Sequence, residues 1–107
     1  MEIEEIRENI KYDKYEICFH AEKERYAEEI SISDLETAIS CGEILEDYTN
    51  YPRGPSYLIL GYSQNRSIHI VCGYTTIKWI RIITVYIPKF PNCLMREQEP
   101  KEVKNNA

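Results

Sequence analysis

Between Ser56 and Tyr86 the chain carries three runs, SYLILGY, SIHIVCGY and WIRIITVY, joined by SQNR and TTIK. Ile, Val and Tyr suit a pleated, half-buried surface, and links this short suit hairpins. Strands are therefore expected at about 56–62, 67–74 and 79–86 as an antiparallel meander. Such a sheet needs a cover for one face, and the preceding half of the chain supplies helical patterns. Ile3, Ile6 and Ile10 recur at helical spacing over 2–12. Tyr15 to His20 reads as a short extended segment leading into an Ala- and Glu-rich helix over about 20–30. Ser33 with Glu36 reads as a capping box opening a third helix, with Leu35, Ala38 and Ile39 inward and Gly42 just past its end. Glu43–Tyr48 is a further strand candidate, and the NYPRGP segment within Thr49–Pro55 is a loop. Pro88 and Pro91 end the sheet. The expectation is an α+β domain over 1–95, with N-terminal helices packed on an antiparallel β-sheet, and a polar, flexible tail over 96–107.

Charge divides the chain. Residues 1–50 hold 15 acidic and 5 basic side chains, whereas 51–107 hold 3 acidic and 8 basic ones. No acidic residue occurs from Tyr51 to Arg96. The net charge of −5 argues against indiscriminate nucleic-acid binding and leaves room for a local basic surface. No apolar run reaches the roughly 20 residues of a membrane span, and the acidic start MEIEEIRENIKY is unlike a signal peptide. A cytoplasmic protein with no membrane association is expected. Cys18, Cys41, Cys72 and Cys93 form neither CxxC nor CxxH pairs, so no metal site and no cofactor are expected; Cys18 and Cys72 read as core residues.

Two histidines invite individual reading. His20 stands where the extended segment becomes a helix, at the positive end of its dipole. His69 lies mid-strand, sharing a face with Val71 and Gly73. Each has a plain structural alternative. Arg53 sits on a Pro-Arg-Gly-Pro corner suited to presenting a guanidinium to phosphate, with Tyr48 and Tyr57 nearby in sequence. Strict alternation puts Thr84 and Tyr86 on the face of Ile80 and Ile82. RNA cleavage without metal needs a base for the 2′-hydroxyl, a cation for the phosphate and an acid for the leaving oxygen. His, Arg and Tyr can supply these.

The order of short motifs is more specific. His20-Ala21 precedes Gly42-Glu43-Ile44-Leu45-Glu46-Asp47-Tyr48, then Leu58-Ile59-Leu60-Gly61, Ile68-His69-Ile70-Val71 and Ile83-Thr84-Val85-Tyr86 with Pro88. This resembles the small bacterial and archaeal family labelled domain of unknown function 4258, from about Tyr15 to Pro91. The resemblance implies kinship with RelE-like and motility quorum-sensing regulator-type toxins, which are small metal-independent ribonucleases of type II toxin–antitoxin systems. It further implies RNA, ribosome-associated or otherwise, as substrate and a protein antitoxin, of the zinc-finger YgiT type, as partner. The matching polar residues are His20, Tyr48, Arg53, His69, Thr84 and Tyr86. On this reading His20, His69 and Tyr86 are catalytic, and Arg53, Arg81, Tyr48 and Thr84 contact RNA. Two positions depart from the pattern: Glu24 stands where many members have Arg, and Asn92-Cys93 replaces a Lys-Trp pair. The alternative is a non-enzymatic partner-binding domain or degenerate toxin whose acidic half docks a basic partner. A DNA-binding repressor is disfavoured because none of the expected helices is basic enough to read DNA.

Overall fold

The computed structural model describes residues 3–48 and 54–88. Eight elements follow in order: α1 (Ile3–Lys11), β1 (Tyr15–Ile17), α2 (Phe19–Ala27), α3 (Ile32–Cys41), β2 (Glu43–Tyr48), β3 (Ser56–Ser63), β4 (Arg66–Tyr74) and β5 (Ile80–Tyr86). The strands form one sheet in the order β1-β5-β4-β3-β2. The α+β class and the antiparallel meander stand as expected. The short extended segment adds something the sequence did not reveal: β1 pairs with β5 in parallel, Tyr15 opposite Ile80, so the sheet is mixed. The expected tail and the loop residues 49–53, with Arg53, lie outside the described residues.

One sheet face is sealed by helices. Ile6 and Ile10 from α1 and Leu35, Ala38 and Ile39 from α3 bury against Ile59, Ile68, Ile70, Ile80, Ile82 and Val85. Each such aliphatic side chain contributes about 1.5–3 kcal/mol on burial. Helix α3 lies directly on β3, and a Cβ at Gly61 would overlap the Ala38 carbonyl. Cys72 is fully buried in this core. Cys18 is instead half-buried at the N-cap of α2, where its sulfur accepts from the Ala21 amide at 3.4 Å.

The capping box occurs two residues earlier than the sequence suggested. Ser31 Oγ accepts from the Asp34 amide at 2.9 Å, and Asp34 Oδ2 accepts from the Ser31 amide at 3.1 Å. Asp at the third position serves as well as Glu because it also has work on the sheet. Its carboxylate accepts from Ser63 Oγ at 2.7 Å, Gln64 Nε2 at 3.2 Å and Arg66 Nη2 at 3.3 Å. These donors, Ser63 foremost, hold its carboxyl at about 2. The carboxylate thereby fastens the start of α3 to the β3–β4 turn, whose Gln64 and Asn65 have φ of 55° and 65°, as a two-residue type I′ hairpin requires.

Candidate functional site

Two β-bulges decide which side chains meet on the sheet face opposite α1 and α3. Register slips between Ile44 and Glu46 in β2, and between Val71 and Cys72 where β4 meets β5. In β2 the extra residue, Leu45, turns Glu46 and Tyr48 from the helix side to the other side. In β5 the extra residue, Ile83, does the same for Thr84 and Tyr86. This corrects the expectation that Thr84 and Tyr86 share the face of Ile80 and Ile82. Strict alternation fails because a bulge inserts one residue and inverts everything downstream.

Three rungs result across this second face. The first runs Glu43, Leu60, His69 and Tyr86; the second Glu46, Leu58, Val71 and Thr84; the third Tyr48, Ser56, Gly73, Arg81 and Glu16. His69 and Tyr86 face each other across neighbouring strands, ring centroids 5.1 Å apart in an edge-on arrangement. His69 Nδ1 lies 3.1 Å from the Tyr86 hydroxyl. Burial lowers the His69 pKa from its ordinary value, against an opposing pull from Glu46, so the ring is neutral near pH 7. Tyr48 donates to Glu46 Oε1 at 2.6 Å, and that bond pushes its phenol up to about 12. Arg81, on the third rung, holds Glu16 Oε2 at 2.6 Å.

The sheet thus brings together five of the expected residues: Tyr48, His69, Arg81, Thr84 and Tyr86. Glu46 joins them unforeseen. Its only sequence signal was its place in the GEILEDY motif, because the bulge that turns it outward leaves no mark in the hydrophobic pattern.

His20 has a different setting. It stands in the first turn of α2, exposed, with Nε2 3.1 Å from Glu24 Oε2. Among the described residues it makes no hydrogen bond to the face group. Glu24, the departure from the family pattern, also accepts from the Val85 amide at 3.0 Å. That bond satisfies β5 beyond the short reach of β1, and Cys18 assists by donating to the Ile83 carbonyl at 3.3 Å. The neighbouring Arg25 is buried and structural, bonded to Glu22 at 2.6 Å and to the Ile30 carbonyl at 2.9 Å.

Among the described residues no helix is long and apolar enough to cross a membrane, and no three His, Cys, Asp or Glu side chains converge as a metal site. A family model described as "Domain of unknown function (DUF4258)" matches residues 17–87. Neither a curated protein nor a solved structure matches the chain.

Proposed function

The chain belongs to the DUF4258 family of domains of unknown function, and from that premise we propose that it is a metal-independent endoribonuclease of RelE-like type, the toxin of a type II toxin–antitoxin pair acting in the cytoplasm. The observation that carries this reading is the His69–Tyr86 rung, a neutral imidazole beside a phenol on an accessible sheet face. With Nδ1–H donated to the Tyr86 oxygen, Nε2 is the bare nitrogen. It takes the proton from a 2′-hydroxyl as that oxygen attacks the adjacent phosphorus. The 5′-oxygen leaves as the new bond forms, giving a 2′,3′-cyclic phosphate and a 5′-hydroxyl end. Tyr86 orients the imidazole and offers its proton toward the leaving oxygen. Arg81 receives phosphate, Thr84 offers its hydroxyl to RNA, and Tyr48, fixed by Glu46, presents its ring. Within the described part of the acid-free stretch Arg81 lies on this face, while Glu16 restrains its charge until a phosphate competes.

A second reading, a partner-binding domain without catalysis, draws on that same Glu16–Arg81 pair and on Glu24 in the place of a family arginine. The two are separated by induced expression of wild type, His20→Ala, His69→Ala and the His20→Ala/His69→Ala double variant, with total RNA examined for new ends. Growth arrest and cyclic-phosphate ends with wild type, lost in His69→Ala and retained in His20→Ala, are expected. Arrest by a folded His69→Ala protein overturns the assignment of the base. A folded wild type that neither arrests growth nor cuts RNA moves the function to the binding module, and a co-purified stoichiometric partner protein would then be its defining property.

A further inference from the structure

Beside the His69–Tyr86 rung, the second and third rungs enclose a groove of about 480 Å³, within the roughly 300–1,000 Å³ of small-molecule sites. Its floor is low because Gly73 has no side chain, and Pro55 bounds it on one side: a Cβ at Gly73 would lie 3.0 Å from the Pro55 carbonyl oxygen. Val71 and Ile83 supply apolar surface, Ser56 and Thr84 supply hydroxyls, and Arg81, about half exposed at 53%, stands in its wall. Thr84 is two residues from Tyr86, which places the groove about 7 Å from the reacting rung.

We infer that this groove is a subsite for one unpaired nucleotide flanking the bond that is cut, the base lying on the Gly73 floor and its phosphate meeting Arg81. The inference rests on reading this sheet face as an RNA site and adds to it the form of the substrate, single-stranded at the cut, and the place where base identity is read. A base has two apolar faces and a polar edge, which matches an apolar floor with hydroxyls along its margin. A base held in a duplex stack cannot lie with its face on this floor without leaving the stack. Discrimination among bases falls to Ser56 and Thr84, whose hydroxyls each donate or accept.

The test is an amide NMR titration of the full chain with each of the four nucleoside 5′-monophosphates, and with ribose 5-phosphate as a base-free control. Saturable shifts at Ser56, Val71, Gly73 and Thr84, with unequal affinities among the four, are expected, and the control should move only residues around Arg81. Gly73→Val should weaken the nucleotides about tenfold or more while leaving ribose 5-phosphate unchanged. Should that variant misfold against Pro55, Thr84→Val keeps the shape and should reorder the four affinities. No shifts at the groove, or nucleotide shifts identical to those of ribose 5-phosphate, overturn the inference. Unchanged affinities in both folded variants do so as well. Nucleotides bound in the groove by a protein that never cuts RNA would support the subsite and defeat the ribonuclease reading. RNA cut by a protein whose groove ignores nucleotides would do the reverse.

Discussion

Asp34 shows how much one side chain can fix. It closes the capping box of α3 and receives Ser63, Gln64 and Arg66 from the β3–β4 hairpin, while Arg66 also donates to the Glu28 and Glu29 carbonyls. Asp34→Asn keeps the size but loses the charge and one acceptor. It should destabilise the fold by about 2–3 kcal/mol, read as a lower denaturant midpoint at unchanged slope. The pH dependence follows from the sign of the shift. The folded carboxyl sits at about 2 against 3.8 unfolded, so its stabilisation is present above 3.8 and is lost as pH falls toward 2. An Asp34→Asn protein should lack that part of the acid transition, and an unchanged acid midpoint would contradict the assignment. His69 acts in the same direction at higher pH. Its folded value lies below 6.5, so the stability tied to its neutral form is complete above 6.5 and declines as the ring is forced to charge. Activity requiring the neutral ring should therefore persist somewhat below pH 6.5, a profile that a solvent-exposed histidine base would not give.

At the scale of elements, the helices and the meander were legible because their signals are local: 3.6-residue spacing in α1, an apolar and Tyr-rich run in β3, and β-branched runs in β4 and β5. The Ser33–Glu36 reading of the α3 cap failed by two residues because SISDLE offers overlapping Ser-x-x-acid frames. Only the tertiary partners of Asp34 select one of them. The parallel pairing of β1 was hidden because three residues carry no period, and the site was hidden because bulges leave no pattern. Ile83 makes that last point testable. Deleting it leaves Ile80 and Ile82 inward and, counting on, Thr84 outward, Val85 inward and Tyr86 outward, as in the bulged strand. The deletion should thus cost about 1–2 kcal/mol yet preserve the ring-to-ring nuclear Overhauser contact between His69 and Tyr86. Loss of that contact in either protein would refute the bulge. Gly61→Ala, by contrast, drives a methyl into the α3 backbone with no shared slack, and a loss of about 3 kcal/mol is expected from the same unfolding measurement.

For the whole molecule, the division of charge read from the sequence does not become a division of free surfaces. Arg66, from the acid-free stretch, is committed to the turn after α2 and to α3, and Arg81 is matched by Glu16 from β1. The first half's acids thus cross the sheet to meet the second half's bases, which is why neither the net charge nor its asymmetry locates the partner. Any RNA bound on the second face has to compete with Glu16 for Arg81, in a pair that is half exposed and so worth little by itself. Glu16→Gln should therefore release one cation for phosphate without loss of stability. Binding of a short single-stranded RNA should tighten, and the slope of log K against log salt should steepen by about 0.7, the increment for one additional phosphate contact on a single strand. Tighter binding with an unchanged slope would mean that the carboxylate repels RNA without Arg81 ever engaging it. An unchanged affinity would remove Arg81 from the RNA path and leave the phosphate to be met elsewhere on the molecule.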